Sequence, residues 1–250
     1  MVETTMKRKN KYLIGIVLLI VLYFLYKYSP YKLDYIGHYD KIWAHRIDDQ
    51  SRLKSAIKYF KGVEVDLVYN SEKNYLDVGH PPAKSIGLSL DKYLSNLTNK
   101  KPYIWLDIKN LNITNAVEIH ALLEKLCKKY QYPKDKFLVE TRYPEALPIF
   151  TKNDFICTYY LPYHIYKREE SEKQKIILHI NEILKLQPTI GVSAAYKDYD
   201  ILHKNFPTKN KYMWIIESTR NRKLSLTRKI LKDSTVKVVL ISYHTLKKGR

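Results

Sequence analysis

The 250-residue sequence is poor in cysteine, glycine and acidic residues, and each shortage narrows what the chain can be. Its two cysteines, Cys127 and Cys157, form neither a metal-ligand spacing nor a disulfide framework. One lies in a helical pattern and the other in a strand pattern, so both read as small buried apolar side chains. None of the seven glycines builds a glycine-rich turn after the first strand-like run, which weakens a dinucleotide-binding reading. Only one long apolar run is present, at 12–26, and a charged fraction of 28% is too high for a polytopic membrane protein. Acidic residues number 25 against 44 lysines and arginines, for a net charge of +19. That surplus favours anionic partners: phosphate esters, acidic lipid surfaces or nucleic acid. The basic residues are dispersed, without a dense block resembling a nucleic-acid arm, so no nucleic-acid partner is expected. Internal repeats and low-complexity segments are also missing.

The apolar run follows Lys7, Arg8, Lys9 and Lys11, which make residues 1–11 a basic tail expected in the cytoplasm. A spanning helix needs about 20 residues, with a range of about 17–25. The run reaches the low end of that range if Lys11 and Lys27 extend their stems to the interface. A cleaved signal peptide would need a small-residue site of the A-x-A kind, and Leu25-Tyr26-Lys27-Tyr28 offers none. Tyr12, Tyr23, Tyr26 and Tyr28 read as interfacial anchors. The expectation is a single-pass signal anchor at 12–28 and a connector at 29–40. The folded part, 41–250, then lies on the outer (periplasmic or extracytoplasmic) side.

Beyond the connector, short apolar runs alternate with helical patterns. Strands are predicted at 41–45, 62–69, 103–109, 136–141, 154–160, 189–195, 212–217 and 236–241, with 75–78 as the return arm of a hairpin. Helical stretches are expected after Asp48-Asp49, with Gly62 as their stop, and at 89–97, 114–130, 144–150, 169–186, 199–205 and 224–232. The 114–130 helix would bury Val117, Ala121, Leu122 and Leu126. Eight strands alternating with helices in about 210 residues point to a (β/α)8 barrel. A doubly wound open sheet is the rival.

In such a barrel, chemistry collects at the C-terminal ends of the strands. His45 and Arg46 end the first strand. Glu64 and Asp66, two apart on the second, share a face. Two inward carboxylates repel unless a cation lies between them, and an oxygen-rich set suits Mg²⁺ or Ca²⁺. Asp107 on the third strand offers a third ligand, and Lys109 faces the same way. His80, before Pro81-Pro82, stands on the other side of the acidic strand in sequence. Two imidazoles provide the base and the acid that phosphodiester cleavage needs, and Arg46 can grip a phosphate. Glu140, Arg142 and Glu217 end later strands and are candidate pocket residues. Tyr159, Tyr160 and Tyr163 are candidate lining groups for a substrate head.

His45-Arg46, Glu64-x-Asp66, His80 and Asp107-x-Lys109, in that order, resemble the glycerophosphodiester phosphodiesterase-like superfamily, which includes phosphatidylinositol-specific phospholipases C. Trp214 resembles that family's seventh-strand tryptophan, and Gly79-His80-Pro81-Pro82 resembles its menorin-like branch. Ile47, Pro81 and Asp107 depart from the family's usual residues. The resemblance implies a (β/α)8 barrel with His45 and His80 as the acid/base pair. It implies Glu64, Asp66 and Asp107 as divalent-metal ligands, and Arg46 and Lys109 as phosphate contacts. The expected function is membrane-anchored, metal-dependent hydrolysis of a phosphodiester of the glycerophosphodiester or phospholipid head-group class. The alternative is an inactive barrel that binds an anionic ligand or a partner protein.

Overall fold

The computed structural model describes residues 2–97, 100–216 and 223–243; the side chains of 2–11 and 27–28 lie outside that description. Eight parallel strands form a closed barrel: β1 (Ile42–His45), β2 (Gly62–Asn70), then, beyond the short hairpin strand β3 (Tyr75–Val78), β4 (Tyr103–Ile108), β5 (Phe137–Thr141), β6 (Ile156–Tyr160), β7 (Gly191–Ala195), β8 (Lys211–Ile215) and β9 (Val236–Ser242). Their order is β1-β9-β8-β7-β6-β5-β4-β2, and pairing of β1 with β2 at Ala44 and Val63 closes the ring. β3 runs antiparallel on the edge of β2 and returns the chain toward the barrel mouth. The open-sheet rival is thereby excluded.

The strands are parallel because helices separate them and cover their outer face, so both faces are buried and the sequence reads as near-continuous apolar runs. Every residue of β5 and β8 is buried. After the N-terminal helix α1 (Val2–Tyr28), the covering helices are α2 (Gln50–Ala56), α3 (Leu90–Leu94), α4 (Ala116–Tyr130), α5 (Pro148–Thr151), α6 (Glu170–Leu186), α7 (Tyr199–Asn205) and α8 (Leu224–Lys232). Asp49 caps α2 by accepting the Arg52 N–H at 2.8 Å, and Ser89 does the same for α3 from Lys92. Cys127 and Cys157 are both buried and free.

Three local expectations need correction. Gly62 does not stop α2, which ends at Ala56; it opens β2. A Cβ there would fall 2.3 Å from Cδ2 of Trp43, so the glycine exists to admit the indole of the neighbouring strand. In α4 the buried stripe is Ala116, Ile119, Leu123, Leu126 and Cys127, while Val117 is 63% exposed. Both stripes satisfy a 3.6-residue period, and contact with the sheet selected the one that the periodicity alone did not. β8 ends at Ile215, and Glu217 lies outside the described residues.

Residues 29–40 fold against the barrel. Tyr35 is fully buried, and Arg228 of α8 donates from Nη1 to the carbonyls of Asp34 (3.3 Å) and Ile36 (2.8 Å). Ahead of them, α1 carries exposed apolar side chains from Tyr12 to Tyr26. Among the described residues no helix is long and apolar enough to cross a membrane, so the spanning segment expected at 12–28 has no support from the helix itself.

Candidate active site

The C-terminal ends of the strands converge as the sequence pattern requires. In-register pairing of β2, β4 and β5 places Asp66 beside Asp107 and Asp107 beside Glu140, with Glu64 beside Trp105 one step below. Alternation turns these side chains inward, while Val63, Val65 and Leu67 are buried against the outer layer.

The chain after β1 is shaped around the carboxylates. Arg46 adopts a left-handed conformation, φ 53°, an unfavourable geometry for a non-glycine residue that the surroundings must hold. In it, the Arg46 N–H donates to Glu64 Oε2 at 2.6 Å, and the next N–H, of Ile47, donates to the Glu64 carbonyl at 2.8 Å. Ile47 is fully buried, and its carbonyl accepts from the Tyr93 hydroxyl at 2.9 Å. Asp48 Oδ1 accepts the Asp66 N–H at 3.0 Å. On the other side, the Gly79 N–H bonds to the Asp66 carbonyl and the Lys109 N–H to the Leu67 carbonyl. His80 and Lys109 are thus both indexed to β2. The Ala83 N–H closes the turn around Pro81-Pro82 on the His80 carbonyl.

His45, Arg46, Glu64, Asp66, His80, Asp107 and Lys109 line one cavity of about 130 Å³, together with Trp105, Glu140, Tyr160, Tyr163 and Trp214. His45 Nε2 lies 3.7 Å from Glu64 Oε2, and Arg46 Nε lies 3.2 Å from Asp66 Oδ2. The Lys109 ammonium bridges Asp66 and Asp107. Burial pushes the Glu64 carboxyl well above its ordinary range, and Asp66 and Asp107 add to the effect by repulsion. Burial also raises Asp107, against the pull of Lys109. Asp48 is raised to about 7, by burial and then by Asp66. Burial opposes the charge of Lys109, but Asp107 and Asp66 outweigh it and the ammonium is held charged. Burial lowers His45 to about 4, so its ring is neutral at pH 7.

Oxygens of Glu64, Asp66 and Asp107 all lie within 4.8 Å of one another. Glu64 Oε1 is buried and has no hydrogen-bond partner among the described residues. An orphaned buried carboxylate oxygen beside two further carboxylates fits a hard divalent cation.

One wall is built differently. Glu140 is 2% exposed and accepts from Trp105 Nε1 at 2.8 Å and from the Ser193 hydroxyl. Burial, then Asp107, raises its carboxyl well above the usual range. At the rim, the Arg142 guanidinium lies 4.4 Å from the ring centre of Tyr160 and 4.8 Å from that of Tyr163. Tyr160 stacks on Trp214, with 5.0 Å between centroids and 10° between planes. Tyr159 is buried and does not line the cavity. Sequence reasoning missed Asp48 as a partner of the acidic strand, and also Trp105 and Ser193. Trp105 shares the alternation face of Asp107, and Ser193 is the lone polar residue of an apolar strand, so both carried a signal.

No family model matches the sequence, and no curated protein matches it. Solved structures do. A glycerophosphodiester phosphodiesterase from Parabacteroides distasonis is 13% identical with a TM-score of 0.56, over 83% of this chain and 94% of that one. A phosphodiesterase from Oleispira antarctica, solved with the product sn-glycerol-3-phosphate, is 14% identical with a TM-score of 0.55, over 81% and 93%. A glycerophosphodiester phosphodiesterase from Thermotoga maritima is 14% identical with a TM-score of 0.53, over 82% and 95%. At these identities the shared property is the fold, and it is the fold of the superfamily that the motif order resembles.

Proposed function

We propose that the chain is a metal-dependent phosphodiester hydrolase of the glycerophosphodiester phosphodiesterase type. The observation that carries this reading is the meeting of two imidazoles, four carboxylates and two cationic side chains in one cavity, three of the carboxylates within reach of one ion, at the catalytic end of a barrel shared with such enzymes. Glu64, Asp66 and Asp107 would hold a divalent cation, Mg²⁺ or Ca²⁺. When bound, such an ion polarises phosphoryl oxygens and stabilises the charge that develops on them. Arg46 and Lys109 hold phosphate oxygens and orient the ester. His45 and His80 divide the proton transfers: one imidazole takes the proton of the attacking water, and the other gives a proton to the departing alkoxide. The half-buried ring of His45, uncharged at pH 7, is open to the accepting role.

Membrane attachment is part of the same proposal: α1 leaves its apolar side chains exposed, and the basic residues ahead of the run would keep the N-terminus inside and the barrel on the outer side. The run extends about 22 Å at 1.5 Å per residue, short of a hydrocarbon core of about 30 Å, so its flanking lysines would have to reach the interface. Release of the full-length chain from membranes by alkaline carbonate would reject a spanning anchor.

A second reading draws on Lys109. Its bridge between Asp66 and Asp107, together with Arg46 on Asp66, balances two of the three carboxylates without a metal ion, as an inactive, anion-binding barrel would. Assay of the purified chain against glycerophosphodiesters and phospholipid head-group diesters, with and without EDTA, separates the two. Cation-dependent release of an alcohol supports hydrolysis; ligand binding without turnover supports the second reading.

A further inference from the structure

Next to the reaction cavity is a second one of about 330 Å³, lined by His80, Asp107, Lys109, Arg142, Tyr143, Tyr160 and Tyr163 among others. The two share His80, Asp107, Lys109, Tyr160 and Tyr163. A phosphodiester held by Arg46 and Lys109 therefore has somewhere to extend one of its arms. The second cavity lies on the His80 side, away from His45 and Glu64, which line only the first.

Its distinguishing feature is Arg142. The guanidinium is packed against the rings of Tyr160 and Tyr163 and is also held by the Tyr160 side chain; among the described residues no carboxylate forms an ion pair with it, and Asp107 attracts it only at longer range. Packing of this kind fixes the plane of a guanidinium through cation–π contact and limits the entropy lost when its N–H edge takes a ligand. An oriented guanidinium with no paired carboxylate matches a group offering two anionic oxygens. The same contact excludes a different ligand. The rings of Tyr160 and Tyr163, set at 89° to each other, would otherwise attract a quaternary ammonium, but here the protein's own cation lies over both and repels a second one.

Resting on the phosphodiesterase reading, we infer that Arg142, held by Tyr160 and Tyr163, is a specificity-determining residue. It selects phosphodiesters whose second arm carries an anionic oxygen group, carboxylate or phosphomonoester, and disfavours those bearing only a cationic head.

Two matched substrate pairs test this. Glycerophosphoserine differs from glycerophosphoethanolamine by one carboxylate, and glycerophosphoinositol 4-phosphate differs from glycerophosphoinositol by one phosphomonoester. The expected result is a kcat/KM about ten- to a hundredfold higher for the anionic member of at least one pair, expressed mainly in KM. Which pair responds tells carboxylate from phosphate. In Arg142→Gln that ratio collapses toward one, and Arg142→Lys restores part of it. A merely structural role would lower both members of a pair together and leave the ratio unmoved. If no diester is turned over, the hydrolase reading fails, and calorimetric binding of the same four compounds still decides the subsite. Tighter binding of the anionic members, lost in Arg142→Gln, upholds it. Equal ratios in wild type and Arg142→Gln, in kinetics or in binding, overturn it.

Discussion

Glu64→Gln is expected to make the cation-free protein more stable and the cation-loaded protein less so. Glu64 is almost fully buried, one of its oxygens lacks a partner among the described residues, and Asp66 and Asp107 both repel its charge. Glutamine keeps an acceptor for the Arg46 N–H and replaces the repelled oxygen with a donor aimed among carboxylates. Removing a buried carboxyl that its neighbours also repel is expected to stabilise the protein by about 0.5–2 kcal/mol, the usual yield of a single stabilising substitution. For a chain of this size that is a rise in Tm of about 1–8 °C at roughly 2–4 °C per kcal/mol. With cation present the balance reverses. A ligand at a hundred times its Kd stabilises the folded state by about 2.7 kcal/mol. The wild type gains this in full, and a variant short of one anionic ligand gains little of it. Thermal or urea unfolding of both proteins, in EDTA and in saturating Ca²⁺ or Mg²⁺, should show the order of stabilities cross. A variant less stable in EDTA, or equal stabilisation of both proteins by cation, would refute the repulsion argument.

Other consequences can be checked alongside it. His45→Asn and His80→Asn should each lower kcat by about 10²- to 10⁴-fold while leaving the circular dichroism spectrum of the barrel intact. Gly62→Ala should destabilise the protein by about 1–3 kcal/mol, because the new methyl overlaps the Trp43 ring; urea unfolding measures it, and Trp43→Leu should relieve the loss. Asp198 is buried; it accepts the Tyr166 N–H at 2.8 Å, leaves Oδ2 unpartnered among the described residues, and has its carboxyl raised to about 6 by that burial. The native state therefore holds a proton that the unfolded chain releases, and stability falls as pH rises from about 4 to about 6. Asp198→Asn should flatten that stretch of the stability curve; an unchanged slope would show that Asp198 does not titrate there.

Much of the barrel was legible because a strand buried on both faces is written as a short apolar run, and eight such runs are separated by clear helical patterns. The paired carboxylates were legible for a related reason: Glu64 and Asp66 break the apolar run of β2 at an interval of two, which assigns them one face. What stayed hidden depended on contacts between distant segments. The role of Gly62 follows from Trp43 on the adjacent strand. The face of α4 follows from the sheet it covers, and periodicity fits Val117 or Leu123 about equally. Asp48 looked like a helix cap beside Asp49, yet its carboxylate accepts the Asp66 N–H of the adjacent strand. Trp105 and Ser193 matter through Glu140, which only the register of β4, β5 and β7 brings to them. The Arg142 packing depends on Tyr163, which lies beyond the end of β6.

The most direct measurement is anomalous diffraction from crystals of the full chain soaked in Mn²⁺, a hard divalent ion that scatters well at its absorption edge. One strong peak is expected among Glu64, Asp66 and Asp107, with Lys109 no longer bridging the two aspartates and both imidazoles facing the ion. Saturating Mn²⁺ with no peak there, and Lys109 still clasped between Asp66 and Asp107, would rule out a cation-loaded catalytic centre.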